Sequence, residues 1–96
     1  MSYRVLITEP IIDEVIQKLR NHYKVDVGTR GTFNSEENLI EAIPNYDALL
    51  PMLSNPVTQK VIEAGTDLKV IANHAVGYNN IDLEAARQNG IEVANT

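Results

Sequence analysis

Short apolar runs alternate with segments of helical spacing from one end of the chain to the other. Val5-Leu6-Ile7 is a continuous apolar run of the kind that a strand buried on both faces needs. From Pro10 the spacing turns helical. Ile12, Val15, Ile16 and Leu19 fall on one face, with Glu9 and Asp13 near the positive end of the helix dipole. Tyr23 to Val27 alternates apolar and polar residues and predicts an edge strand with one wet face. Gly28 to Asn34 reads as a loop. Ser35 is a good N-cap for a helix with Glu36 and Glu37 in its first turn, Leu39, Ile40 and Ile43 on its apolar face, and Pro44 as its stop. Ala48-Leu49-Leu50 predicts a third strand, closed by Pro51. Thr58 caps a short helix carrying Val61 and Ile62, with Gly65 as its stop. Val70-Ile71-Ala72 predicts the fourth strand. Asp82 caps a helix over 83–88 that Gly90 ends, and Ile91-Glu92-Val93 predicts the fifth strand.

Strands that alternate with helices in this way form a βαβ series, and right-handed crossovers make the sheet parallel. The expected fold class is α/β: a flavodoxin-like, doubly wound, five-stranded parallel sheet in the order 2-1-3-4-5. Such a sheet is usually wrapped by a helix after its last strand, and no helical pattern follows Val93. Ala94-Asn95-Thr96 therefore reads as an interrupted continuation, and the final covering helix is expected to be lacking. An apolar sheet face left open in this way favours self-association, so a homo-oligomer is expected.

Charge and composition narrow the function classes. Eight Lys and Arg against thirteen Asp and Glu give a net charge of −5, and no basic run occurs. Nucleic acid and anionic lipid are therefore not expected partners. The chain has no cysteine, which excludes disulfides, thiol nucleophiles and Cys-ligated zinc. No apolar run approaches the ~20 residues of a membrane span. The opening residues enter a strand pattern directly and do not read as a signal peptide, so a cytoplasmic protein is expected.

The most informative stretch runs from Leu68 to Asp82, LKVIANHAVGYNNID. Ligands of open α/β sheets bind at the carboxyl ends of the strands, and the loop after the fourth strand lies there. Gly77 lets backbone approach a ligand closely, and the successive N–H groups of Val76 and Gly77 can hold a carboxylate without a cationic side chain. The plainer reading is that Gly77 only permits a tight turn. Met52 and Leu53, after the third strand, read equally as packing residues or as part of a site. Ser54 and Asn55 before Pro56 read first as a turn. His74 beside an apolar strand reads as structural, and His22 as a helix-end residue. Tyr78 reads as packing, and Asp82 as a cap rather than half of a carboxylate pair with Glu84. Two histidines without i, i+4 spacing make no metal site.

The same stretch resembles the D-2-hydroxyacid dehydrogenase family, whose segment runs roughly Leu-Lys-x-Ile-x-x-x-Gly/Ala-Val-Gly-Tyr-Asp-Asn-Ile-Asp. The resemblance extends over the whole chain and is strongest from Ala48 to Thr96, where GIEVANT also follows the family. Met52-Leu53-Ser54 is particularly similar to the glyoxylate/hydroxypyruvate reductase branch. One residue departs from the pattern: Asn79 stands where the family usually has Asp, which removes a charge and keeps a turn-capping side chain. The resemblance implies that the chain is the substrate-binding portion of an oxidoreductase that reduces small 2-keto acids. It implies that the Val76 and Gly77 amides face the substrate carboxylate and that Leu53 stands against the substrate. It also implies NADH or NADPH as the parent enzyme's cofactor, and a catalytic Arg, Glu and His carried by later sequence.

No G-x-G-x-x-G occurs in the chain, so no dinucleotide fingerprint is present and no residue here is expected to bind cofactor. The catalytic residues and the nucleotide-binding domain are expected outside these 96 residues, and the isolated chain is expected to be inactive. Two alternatives stay open: a stand-alone module that binds a small carboxylate, and a non-catalytic scaffold. A signalling receiver domain is disfavoured because Thr8-Glu9-Pro10 and Leu50-Pro51-Met52 do not supply its acidic cluster. Glu9-Pro10-Ile11-Ile12 likewise cannot cradle the phosphate of a flavin.

Overall fold

A computed structural model describes residues 3–73 and 80–95. Five strands form one parallel sheet: β1 (Arg4–Ile7), β2 (Lys24–Val27), β3 (Ala48–Leu50), β4 (Val70–Asn73) and β5 (Glu92–Asn95). The strand order is 2-1-3-4-5, as the βαβ pattern predicts. Between them lie α1 (Asp13–Arg20), α2 (Glu36–Ala42), α3 (Gln59–Ala64) and α4 (Leu83–Gln88).

The register places Val5 opposite Ala48 and Leu6 opposite Leu49, and Leu49 opposite Ile71. Ile71 in turn faces Val93 on β5. Because side chains alternate faces along a strand, Leu6, Leu49, Ile71 and Val93 make one apolar row across the sheet. Leu39 of α2 and Ile43 just after it, Val61 and Ile62 of α3, and Ala85 and Ala86 of α4 pack onto that row and form the main core. The opposite face carries a smaller core in which α1, through Ile16 and Leu19, covers Val5, Ile7, Val25 and Val27. Among the described residues this face is open past α1. Tyr3, Leu19, Tyr23, Ala48, Leu50, Val70 and Ala72 line an apolar hollow of about 400 Å³ there, with Asp47 and Lys69 at its lip.

The predicted caps hold. Ser35, Thr58 and Asp82 accept hydrogen bonds from the amides of Asn38, Val61 and Ala85. Gly90 ends α4 with φ +71°, a conformation that disfavours any side chain. Two helix ends differ from the sequence expectation. The first helix begins at Asp13, with Ile12 as its N-cap, and Pro10 stays outside it. Its predicted face is only partly used: Ile16 is buried, whereas Ile12 and Val15 are exposed. Pro44 does not end α2 outright but sits in a 3-10 turn, Ile43–Asn45, that continues it, because proline's fixed φ suits a first turn. Gly65 stops α3 by a different means from a left-handed cap. Its φ is −81°, and its missing side chain makes room for Leu68 and Ile43.

No described helix is long and apolar enough to cross a membrane.

Candidate functional site

The carboxyl edge of the sheet is tied together by uncharged polar side chains. Thr8 follows β1, Asn55 follows β3 and Asn73 ends β4, and all three are completely buried. Burying an amide without partners costs free energy, so each must be satisfied inside the chain. The Asn55 side-chain oxygen accepts from the Thr8 hydroxyl at 2.5 Å and from the Met52 amide at 2.7 Å. Its nitrogen donates to the Phe33 carbonyl and to the Asn34 side-chain oxygen, both at 3.1 Å. Asn55 thus fills its full complement of two accepted and two donated bonds.

Asn80, entering α4, continues the network. Its side-chain nitrogen reaches the Met52 carbonyl at 3.0 Å, the Asn55 carbonyl at 3.3 Å and the Asn73 side-chain oxygen at 3.2 Å. Its oxygen accepts from the Asn73 side-chain nitrogen at 3.0 Å, so the two amides pair face to face. Backbone bonds stitch the same segments: the Val57 amide donates to Asn80 at 2.8 Å and the Asp82 amide donates back to Val57 at 3.0 Å. This bridge, Val57 to Ile81, adds a short parallel rung beyond the sheet proper.

The turn that these bonds hold is Met52 to Asn55. Its backbone closes with the Asn55 amide donating to the Met52 carbonyl at 3.0 Å. Met52 is half-buried, but Leu53 at the tip is 52% exposed and Ser54 is exposed beside it. The packing reading of Leu53 is therefore not what the fold gives: the residue stands out from the carboxyl edge. Val76 and Gly77, together with His74, Tyr78 and Asn79, lie outside the described residues.

Gly28, at the end of β2, is fixed by crowding at this same edge. A methyl group there would lie 2.5 Å from the Thr8 carbonyl and 2.7 Å from the Phe33 ring. Glu9, just past β1, has a mostly buried side chain whose carboxylate lies 3.8 Å from exposed Arg30. Among the described residues no group of three His, Cys, Asp or Glu is placed to hold a metal.

Sequence reasoning read Asn55 only as a turn residue and did not single out Thr8, Asn73 or Asn80. A signal was present for three of them: Thr8 follows an apolar strand run, Asn73 ends one, and Asn80 stands just before the cap of the last helix.

The sequence that builds this sheet matches a known family. Residues 5–96 match the model for the D-isomer specific 2-hydroxyacid dehydrogenase catalytic domain. The chain belongs to the D-isomer specific 2-hydroxyacid dehydrogenase family. Within that family it is 42% identical over 96 residues to a glyoxylate reductase of Thermococcus onnurineus, covering 100% of this chain and 29% of the relative. It is 35% identical to a glyoxylate reductase of Korarchaeum cryptofilum, with the same coverage. A solved protein of Pyrococcus horikoshii superposes with a TM-score of 0.92 at 30% identity, over 100% of this chain and 28% of that one. A 3-phosphoglycerate dehydrogenase of Entamoeba histolytica, solved with bound NAD+, superposes with a TM-score of 0.84 at 25% identity, over 100% of this chain and 33% of that one. This 2-hydroxyacid dehydrogenase chain thus spans about 29% of the length of the curated relatives it matches.

Proposed function

We propose that this chain is the substrate-binding portion of a dehydrogenase that reduces small 2-keto acids such as glyoxylate or hydroxypyruvate. The observation that carries the reading is an exposed leucine, Leu53, presented at the carboxyl edge of a family-typical sheet by a fully satisfied polar frame. That edge is where open α/β sheets take their ligands. The family match over 5–96 supports it. In this reading Leu53 forms an apolar wall for the substrate, and the backbone N–H groups of Val76 and Gly77 receive its carboxylate.

The residues present do not fit a nicotinamide cofactor, since the glycine fingerprint that admits a pyrophosphate is missing from the sequence. NADH or NADPH is proposed to be held by sequence beyond this chain, in a parent comparable in length to the relatives. The chain by itself is then inactive, and the parent works in the cytoplasm. We also propose that the open apolar hollow beside α1 leads the isolated chain to self-associate.

Titration of the purified chain with glyoxylate or oxalate, and separately with NADH, tests the reading by backbone amide NMR. Shifts confined to Leu53, Val76, Gly77 and their neighbours, with no response to NADH, are expected. A flat response to every 2-keto acid removes the proposal.

A further inference from the structure

The turn that carries Leu53 is held far more firmly than a connection from β3 to α3 requires. Pro51 and Pro56 already restrict the backbone on either side. Asn55 nevertheless commits all four of its bonds, and Asn80 reaches the carbonyls at both ends of the turn, Met52 and Asn55. Two asparagines from separate parts of the chain thus fix a turn whose tip is exposed, with Leu53 52% exposed and Ser54 exposed beside it. A leucine left 52% exposed gains less stability from being held still than a buried one would. The benefit lies with whatever contacts it from outside.

We infer that Asn55 and Asn80 are positioning residues that set where Leu53 stands against the substrate. Asn55 does so by closing the turn on its own side chain, and Asn80 by tying the turn to the entry of α4. The inference rests on the proposed substrate-binding reading and adds to it two residues that touch no substrate themselves. The division of labour follows from geometry. Asn55 joins the turn to β1 and to the loop after β2, through Thr8, Phe33 and Asn34. Asn80 joins it to β4 through Asn73. Removing either leaves the turn anchored on one side only.

Asn80→Ala and Thr8→Val are the variants of choice, because Asn80 is only half-buried and Thr8→Val keeps the side chain's shape while removing one bond to Asn55. Backbone 15N relaxation on the 96-residue chain reads the order of the turn without any ligand. In Asn80→Ala the Leu53 and Ser54 amides are expected to become more mobile, while those of Leu49, Ile71 and α3 stay as in the parent. The dissociation constant for oxalate, measured on the folded variants, is expected to rise about five- to tenfold, the equivalent of one lost hydrogen bond. Thr8→Val is expected to change both readouts in the same direction and by less.

A purely structural role predicts a lower unfolding midpoint with turn order and oxalate affinity unchanged, and that result overturns the inference. So does a turn that loosens while oxalate affinity stays the same. Should the parent chain itself ignore oxalate, the substrate reading fails on its own. The relaxation data then still decide whether Asn55 and Asn80 hold the turn, and an equally ordered turn in Asn80→Ala refutes that as well.

Discussion

At the scale of single residues, Tyr46 makes the clearest pH-dependent contribution. It precedes β3 and lies in the main core, where its hydroxyl donates to the Asp26 carboxylate at 2.7 Å and the Arg4 guanidinium stacks on its ring at 5.2 Å. Burial first, then the bond to Asp26 and its negative charge, push the Tyr46 phenol from 10.0 up to about 12, while Arg4 opposes the rise. The folded state therefore holds the phenol proton more tightly than the unfolded chain does. This contribution to stability is full below the unfolded value of 10.0 and is lost as pH climbs towards about 12. Denaturant unfolding between those two pH values should show stability falling in the parent, and a smaller fall in Tyr46→Phe. An equal fall in both would assign the alkaline loss to other groups. Gly28 shows a different constraint at the same scale: its role is absence of a side chain, not left-handed backbone, since Thr8 and Phe33 occupy the space.

At the scale of elements, most of the fold was legible in the sequence. The apolar runs located every strand, and Ser35, Thr58 and Asp82 located three helix starts, because each of these signals is local. The start of α1 was not legible from Pro10. Glu9 to Ile12 had the spacing and the proline of a helix opening, but the chain there stays non-helical until Asp13. The polar frame was legible only in part. Asn55 looked like an ordinary turn residue because its partners, Thr8 and Phe33, are 47 and 22 residues away. Contacts at such separation leave no periodic trace. Capping energetics can be checked on α4, a helix of six residues that has little stability of its own. Asp82→Ala removes the bond to the Ala85 amide and should cost about 1 kcal/mol by urea denaturation. Asp82→Asn should recover most of that. If both variants match the parent, the cap is not what holds the entry to α4.

At the scale of the whole molecule, the two sheet faces are unequally covered. Among the described residues three helices sit on one face and α1 alone on the other, so Ala48, Leu50, Val70 and Ala72 line a surface that water meets directly. Sedimentation velocity should show the average mass of the isolated chain rising with concentration. Leu50→Lys or Val70→Lys should hold it at the monomer value with the fold intact by circular dichroism. A parent that stays monomeric at high concentration would mean that the hollow tolerates water.

The frame under Leu53 has one more property. Its described members, Thr8, Asn34, Asn55, Asn73 and Asn80, carry no group that gains or loses a proton near neutrality and no formal charge for salt to screen. Acid, mild alkali and ionic strength therefore have nothing to act on directly in these five side chains. In a parent enzyme of the proposed kind, a pH dependence would enter through groups other than these five, which keep one protonation state throughout.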